Sequence, residues 1–497
     1  MCFALQYVTG YANRKFVLSI HEHGRRSIVV LTQLTLDLQT TPFASDGTFP
    51  QFVRDSAFTH NKHDPIHRWV PWIAGFSASF VADVLKHYSS EYQTQPATIL
   101  DPFAGVGTTL VEGLRHGHHV IGFEINPFAA FASQVKSLSF QIDPHELWQT
   151  IQEFEVTARE RTRPLDDAFT NGDDPTQCVP KPRSHRPPHF RSRIPFFSPI
   201  VEQKVLHCLD CIHEIPHPSI RDLALLALGS IIVQVSNYSY EPSLGSRVAA
   251  GKGMVLNADV VGMISTVLRT MYEDILVYRC EMSRRSSSPT IQIFNQSALH
   301  LQHILPAECI DMIVTSPPYL NNYHYVRNTR PHLFWLNFVT NPRELKLLEQ
   351  ANFGKYWQTV RDSPPSQLIV PLPELEPIIA HIATSYPDKG AYGGRGWANY
   401  VVEYFNDCYR LCMNMQYVLK PNAVAVFVLG NSIIQGVEIP TDRFFGDISM
   451  RCGLHLEGIH ILREKRVGNS IINSSIRNGT SSKVTLYESA VIIRKPS

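Results

Sequence analysis

The chain has 497 residues, of which 44% are hydrophobic and 10% aromatic, and a formal net charge of +1. This length exceeds one ordinary domain and predicts a core domain enlarged by an insertion or a second domain. The near-neutral charge excludes a uniformly basic protein, so a nucleic-acid partner would require a local positive surface. No apolar run approaches the ~18 residues of a membrane span, and the first residues do not resemble a signal peptide.

Nine cysteines are scattered along the chain, and Cys208 and Cys211 form a C-x-x-C pair flanked by His207 and His213. A structural zinc site would need a second pair at suitable spacing, and the pattern around this pair is helical. We therefore expect no metal site, and free, mostly buried thiols in a reducing cytoplasm.

The first sixty residues show no strong pattern, and the sequence assigns them no role. Apolar residues recur at helical spacing from Phe80 to Tyr88, which predicts a helix with Ser77 as its N-cap. A strand over 98–100, a helix over 109–116 and a strand over 119–124 should follow and form a βαβ unit. Residues 61–140 are thus predicted to be one half of an α/β domain.

Residues 141–289 interrupt this alternation and read as a largely helical insertion, with an apolar helix over 220–234. Alternation resumes in 290–497, with strands over 290–294, 311–314 and 423–429, a helix over 400–418, and a closing hairpin-type pair over 457–463 and 484–494. Within the insertion, residues 181–193 carry five cations without one acid: Lys181, Arg183, Arg186, Arg191 and Arg193. This basic cluster predicts either contacts to nucleic-acid phosphates or a solvated, disordered loop.

The first informative turn is D-P-F-A-G-V-G-T-T, from Asp101 to Thr109, directly after a predicted strand. Gly105 and Gly107 permit close approach of the backbone to a ligand, and Thr108 and Thr109 are expected to cap the next helix. Leu110 stands where a dinucleotide fingerprint needs glycine, and no phosphate loop is present.

An acid at position 101 is ill-suited to pyrophosphate but suits the ammonium group of a methionyl moiety. Glu124 closes the second strand, where a carboxylate can accept hydrogen bonds from both ribose hydroxyls. The string therefore predicts a site for S-adenosylmethionine; the alternative is a tight packing turn.

The second informative turn is T-S-P-P-Y, from Thr315 to Tyr319, again after an apolar strand. A nucleobase amino group is a weak nucleophile, and the Ser316 hydroxyl and Pro317 carbonyl can accept its hydrogens while Pro317 and Pro318 stiffen the turn. Tyr319 can stack on an extruded base. Cytosine C5 chemistry is disfavoured because none of the cysteines follows a proline. The alternative is a surface polyproline-like turn.

With these turns, the chain resembles the DNA amino-methyltransferases, which modify N4 of cytosine or N6 of adenine. The resemblance covers roughly residues 60–130 and 290–495. The matching segments are Phe76 with 77–81, the cofactor loop 101–109 with Pro102 and Phe103, the acid with its Asn-Pro at Glu124 to Pro127, the tetrapeptide ending at Tyr319, and 418–422 with 430–432.

The resemblance implies a Rossmann-like class I α/β fold, with a seven-stranded, mostly parallel sheet and one antiparallel strand near the end. It implies that Phe76 and Asn126 help to bind S-adenosylmethionine. It also implies that Gln296 contacts the adenine amino group of this cofactor, in place of an acid that often stands before the catalytic strand. It also makes 141–289 the candidate target-recognition region. In this family, Ser-Pro-Pro-Tyr accompanies cytosine N4 more often than adenine N6.

The expected substrate is duplex DNA with the target base flipped out, in a restriction–modification or orphan system. A cognate restriction endonuclease is the partner that this implies, and no convincing nuclease motif occurs in the chain itself. An RNA base methyltransferase and a non-catalytic specificity subunit are the rival interpretations.

Three further segments have open interpretations. Tyr323, His324, Tyr325 and Arg327 follow the second turn closely enough for one of them to line a base pocket. Residues 236–247 are expected to be a helix-end loop rather than a groove contact. The glycine-rich turn 393–396 is either a mobile loop or a linker.

Overall fold

The structure is a computed structural model that describes residues 15–22, 25–32, 61–72, 75–92, 96–173, 180–240, 243–285, 288–320, 324–465 and 485–497. The chain divides into two compact units, residues 1–46 and 47–497. The first contains an antiparallel hairpin of β1 (Lys15–Glu22) and β2 (Arg25–Thr32). Most of the first sixty residues, and Tyr323, lie outside the described part of the chain.

The strands of the second unit are β3 (Thr98–Asp101), β4 (His119–Phe123), β5 (Tyr238–Tyr240), β6 (Leu244–Ser246), β7 (Ile291–Phe294), β8 (Ile310–Thr315), β9 (Leu419–Gly430), β10 (Ser432–Ile434), β11 (Val437–Ile439), β12 (His455–Lys465) and β13 (Leu486–Arg494). Seven of them form one sheet in the order β12-β13-β9-β8-β3-β4-β7. Neighbours from β9 to β7 are parallel, whereas β13 is antiparallel to both β9 and β12. The predicted sheet, its antiparallel strand and the closing hairpin are confirmed.

The helices of this unit are α1 (Ala78–Tyr88), α2 (Thr108–Arg115), α3 (Pro127–Leu138), α4 (Pro144–Asn171), α5 (Pro199–His213), α6 (Pro218–Ile231), α7 (Val260–Ser283), α8 (Leu301–Ile304), α9 (Tyr325–Trp335), α10 (Pro342–Ala351), α11 (Trp357–Val360), α12 (Glu376–Thr384), α13 (Gly394–Val418) and α14 (Thr441–Arg451). No helix in the described residues is long and apolar enough to cross a membrane.

The central strands are buried on both faces, as their continuous apolar runs predict. Met312 and Val314 belong to one core and Ile313 to the other, because successive side chains of a strand point to opposite faces. The first core includes residues of α4 to α7, and α6 contacts α3 while α7 contacts α2. The insertion is therefore part of the packed α/β core.

Two local predictions are corrected. Gly107, in the left-handed conformation, is the N-cap of α2, so Thr108 and Thr109 do not cap it; the Thr109 hydroxyl instead donates to the Val314 carbonyl. The 393–396 turn is not a mobile loop or linker, because α13 begins at Gly394. A Cβ on Gly394 would lie 1.8 Å from the Ile382 carbonyl oxygen, so glycine permits this helix start to pack against α12.

The insertion also holds more order than its composition indicates. The polar stretch after position 159 continues α4 as far as Asn171, through Pro164. Buried apolar residues at helical spacing, such as Ile151, Phe154 and Leu165, outweigh the proline. Ser77 is the N-cap of α1 as predicted, since its hydroxyl accepts from the Phe80 amide. The 236–247 segment contains the hairpin β5–β6 rather than a loop alone.

Candidate active site

A cavity of about 850 Å³, including its part open to solvent, lies at the carboxyl ends of β3, β4 and β8. In open α/β sheets this edge is where ligands bind. Nine of the predicted site residues line it: Phe76, Pro102, Phe103, Gly105, Thr108, Glu124, Asn126, Ser316 and Pro318. Six others do not line it: Asp101, Gly107, Thr109, Gln296, Pro317 and Tyr319. Both predicted turns therefore meet at one cavity.

Asp101 links the two turns through hydrogen bonds. The carboxylate is fully buried, and its Oδ1 accepts hydrogen bonds from the Thr315 hydroxyl at 2.6 Å and from the Phe103 amide at 3.0 Å. Its Oδ2 has no hydrogen-bond partner among the described atoms. Burial raises the pKa of Asp101 to about 6, against the opposing effect of these hydrogen bonds. This residue both fixes the turns to each other and leaves an uncompensated negative charge beneath the cavity.

Glu124 is the carboxylate at the cavity wall. Its Oε2 accepts from the Gly105 amide at 2.9 Å and its Oε1 from the Asn126 amide at 2.7 Å. Each oxygen keeps a lone pair for a further hydrogen bond. Burial, with a smaller contribution from the charge of Asp101, raises the pKa of Glu124 to about 7, although the hydrogen bonds from the Asn126 and Gly105 amides lower it.

The Asn-Pro that follows this acid has a structural role. The Asn126 side chain caps α3 by accepting from the Phe128 and Ala129 amides, and its Nδ2 donates to the Thr329 hydroxyl. Pro127 occupies the first turn of the helix, where its missing amide hydrogen is not needed. Asn126 thus contacts the cavity while positioning α3 against α9.

The glycine turn is stabilised by a lysine that the sequence pattern did not identify. Lys136 on α3 is fully buried, and its ammonium donates to the Val106 carbonyl at 2.8 Å. Gly107 has φ +85°, and a Cβ there would lie 2.8 Å from Ser133 Oγ. Only glycine fits this position without displacement of α3.

At the second turn, the Ser316 hydroxyl donates to the Val428 carbonyl at 3.1 Å. The Tyr319 hydroxyl is a second, longer acceptor at 3.5 Å. The hydroxyl has one hydrogen, so when it is given to Val428 the oxygen lone pairs remain as acceptors at the cavity wall. The Pro318 carbonyl accepts from the Tyr404 hydroxyl at 3.1 Å, whereas no described donor contacts the Pro317 carbonyl. The turn is therefore rigid and rich in acceptors.

Tyr319 is oriented toward the last two strands of the sheet. Its hydroxyl donates to Glu488 Oε1 at 3.2 Å, and Glu488 Oε2 accepts from Arg463 at 2.5 Å. Burial, followed by the Glu488 charge, raises the pKa of Tyr319 well above its usual value, so the phenol keeps its proton. These hydrogen bonds hold the Tyr319 ring in place through its hydroxyl group.

Several cavity residues lacked a sequence signal. Trp72 and Tyr325 stack with ring centroids 6.2 Å apart, and Asn352 and Phe353 come from a stretch with no recognisable motif. Phe353 packs edge-to-face on Phe103 at 4.9 Å. Tyr325 is the exception, since it is one of the four residues after the second turn from which one was expected to line a base pocket.

The assignment of Gln296 does not agree with the geometry. Gln296 is exposed and does not line the cavity, whereas Ser297 and Ala298 do. The Ser297 hydroxyl also accepts from the Leu299 amide and so begins the short helix after β7. The bend that follows β7 turns the side chain one residue later toward the cavity, which the spacing alone did not reveal.

The residues present fit S-adenosylmethionine. The glycine turn leaves room for close backbone contact, Glu124 offers acceptors for paired hydroxyls, and the unpartnered Asp101 oxygen supplies negative charge beneath a cationic ligand. Within the described residues, no group of His, Cys, Asp or Glu is arranged to hold a metal ion, and Cys208 and Cys211 are buried on α5.

The strand order, with its antiparallel strand next to one edge, and the cavity at the carboxyl ends define a class I methyltransferase fold. The chain is related over most of its length to type II methyltransferases. It is 24% identical to M.MvaI of Kocuria varians over 76% of this chain and 81% of the relative. It is 22% identical to M.BsoBI of Geobacillus stearothermophilus over 88% and 87%, and 23% identical to M.AvaI of Nostoc sp. over 88% of each.

These relatives confirm the resemblance to the DNA amino-methyltransferases, whose methyl donor is S-adenosylmethionine. No family model matches the chain. Among solved structures, the rRNA methyltransferase aviRa from Streptomyces viridochromogenes aligns with a TM-score of 0.27 and 10% identity, covering 86% of this chain and 87% of that chain. The fold assignment accordingly depends on the strand order.

Cofactor affinity should depend on the ionisation of Glu124. Because its pKa is raised to about 7, lowering the pH from 8 to 6 protonates the carboxylate and should weaken cofactor binding by about tenfold. Because the pKa of Glu124 is raised in the folded state, ionisation of this group lowers the free energy of unfolding of the cofactor-free protein as the pH rises through about 7. Titration calorimetry across this range tests the expectation, and Glu124→Gln should reduce the dependence to the smaller part that Asp101, with a pKa of about 6, contributes. A wild-type affinity that does not change with pH would contradict it.

Proposed function

We propose that this chain transfers a methyl group from S-adenosylmethionine to an exocyclic amino group in DNA, at a specific sequence, with cytosine N4 favoured over adenine N6. The observation that carries the proposal is the position of the Ser316 oxygen. It faces the cavity as an acceptor, beside the cofactor turn to which Thr315 is bonded through Asp101. The relationship to type II methyltransferases supports a role in restriction–modification, with a cognate endonuclease as the expected partner.

In this mechanism the bound cofactor supplies an electrophilic methyl group. The Ser316 oxygen and the Pro317 carbonyl accept hydrogen bonds from the two N–H groups of the amino group, which draws its lone pair out of conjugation and aims it at the methyl carbon. As the N–C bond forms, the C–S bond of the donor would break, and one proton of the amino group would leave to solvent. The Asp101–Thr315 bond keeps the two turns in register during transfer. Tyr319, held by Glu488, supplies the ring on which the flipped base stacks.

The cofactor would be held by the residues of the first turn and the second strand. We assign the ribose hydroxyls to Glu124, close backbone contact to Gly105, and the cavity walls near the ligand to Phe76 and Phe103. Ser297, rather than Gln296, lines the cavity next to this site.

Residues 141–289 are the proposed target-recognition region. The hairpin β5–β6 is one part of this region that contacts the catalytic half: the Tyr240 hydroxyl donates to the Asn328 carbonyl at 3.0 Å, and Asn328 Oδ1 accepts from the Leu244 amide. The hairpin therefore has a fixed position relative to α9, which follows the second turn.

The reaction is tested by incubating the protein with methyl-labelled S-adenosylmethionine and unmethylated duplex DNA of mixed sequence, and identifying the labelled nucleoside. We expect N4-methylcytosine. N6-methyladenine would keep the reaction and correct the base. Cofactor binding with label in RNA but not DNA would favour an RNA base methyltransferase, and cofactor binding without transfer to either would favour a non-catalytic subunit.

A further inference from the structure

A second groove lies beside the active-site cavity, between α9, α10 and α11. It encloses about 1390 Å³, including open solvent. It is lined by His324, Val326, Arg327, Arg330, Pro342, Leu345, Lys346, Glu349, Gln350, Gln358 and Thr359. Eight of these eleven residues are polar or charged, and three of them are Arg or Lys.

The groove opens toward the cavity. Val326 lines both, and the neighbours of two groove residues line the cavity: Tyr325 follows His324, and Asn352 lies two residues after Gln350. The His324 ring stacks on Tyr356 at a centroid distance of 3.7 Å, which fixes the wall at this junction. A polymer in the groove would therefore pass directly to the entrance of the cavity.

The groove carries unneutralised positive charge. Within the described residues, Arg327, Arg330 and Lys346 make no ion pair with a carboxylate. Glu349, the acid of the lining, lies 3.7 Å from His324. The Arg330 guanidinium donates to the Arg191 carbonyl at 2.5 Å and lies 5.2 Å from the centre of the Phe190 ring, so its position is fixed without loss of charge.

The contact at Arg330 brings part of the basic cluster 181–193 to this groove. Arg183 is paired with Glu214, and Arg186 lies 3.9 Å from Glu202. In contrast, Arg191 and Arg193 are exposed and have no acidic partner among the described residues. Within the part of the chain that the structure describes, two cations of the cluster therefore lie close to acids, whereas Arg191, which contacts α9 through its carbonyl, and Arg193 do not.

We infer that the groove between α9 and α10 holds the sugar–phosphate backbone of the DNA strand that carries the target base, next to the flipped nucleotide. The inference rests on the proposed function. Continuity with the cavity and the excess of unpaired cations support it, because phosphate contacts position a strand and supply most of the affinity for DNA. An overall charge of +1 makes such a local surface necessary.

The double variant Arg327→Ala with Lys346→Ala tests this inference. Both side chains are exposed, so their removal should leave the fold and the cofactor affinity unchanged. The plot of log affinity for duplex DNA against log salt concentration should flatten by ~1.8, since each lost phosphate contact contributes ~0.9. Arg343→Ala is the matched control, because Arg343 is exposed on α10, the helix that carries Lys346, but does not line the groove.

The slope is measured by fluorescence anisotropy with the intact chain and cofactor present. A slope equal to that of the wild type, or an equal change in the Arg343→Ala control, would overturn the inference. Duplexes with one neutral methylphosphonate beside the target base add an independent readout: they should weaken binding to the wild type but not to the double variant. If the wild type methylates DNA and the double variant has the wild-type slope, the inference about the groove is wrong and the proposed function stands. If the wild type neither binds nor methylates DNA, both are wrong.

Discussion

Replacing Ser316 by alanine is expected to lower the rate of methyl transfer by at least ~100-fold while leaving cofactor affinity unchanged. The Ser316 hydroxyl gives its hydrogen to Val428, so its oxygen can serve the amino group only as an acceptor. Alanine removes that acceptor but touches no residue that holds the cofactor turn. Single-turnover rates and cofactor titration, measured on the same preparation, separate the two effects.

The control for this variant is Ser316→Thr. Threonine keeps the hydroxyl and can make the same bond to Val428, so it should retain most of the activity that alanine loses. Near-normal turnover of Ser316→Ala would remove this hydroxyl from the mechanism. Loss of cofactor binding in Ser316→Ala would instead show that the turn acts through the cofactor site.

Replacing Gly107 by alanine should abolish measurable cofactor binding. Its φ of +85° costs about 1 kcal/mol for a residue with a Cβ, and that Cβ would lie 2.8 Å from Ser133 Oγ and 3.1 Å from Ser133 Cα. Relief requires movement of the glycine turn away from α3, which would break the Lys136 bond to Val106 and displace Gly105 from Glu124. Cofactor titration, with circular dichroism to establish folding, measures the effect.

Gly172→Ala is the matched control for the cost of placing a residue with a Cβ in the left-handed backbone conformation. Gly172 has φ +77°, but a Cβ there meets nothing within 4 Å. It should lower thermal stability slightly and leave cofactor affinity intact. Equal effects of the two alanine variants would show that strain, not the position of the glycine turn, explains the loss at Gly107.

The sequence determined the two turns and the sheet that carries them. Apolar runs placed β3 and β8, and glycine and proline at fixed offsets identified turns whose conformations few other residues adopt. These properties are local, since they depend on backbone conformation and on the periodicity of neighbouring side chains. For the same reason Ser77 could be recognised as a cap, and Glu124 as the acid at the end of its strand.

The tertiary structure alone decided how distant segments complete the site. The bond from Thr315 to Asp101 joins residues far apart in the chain, and Phe353 reaches the cavity from a segment without a motif. It also decided which cations of the basic cluster are free, because Glu214 and Glu202 neutralise two of them. Such contacts depend on how helices and strands pack against one another, and that packing leaves no periodic signal in the residues that make the contact.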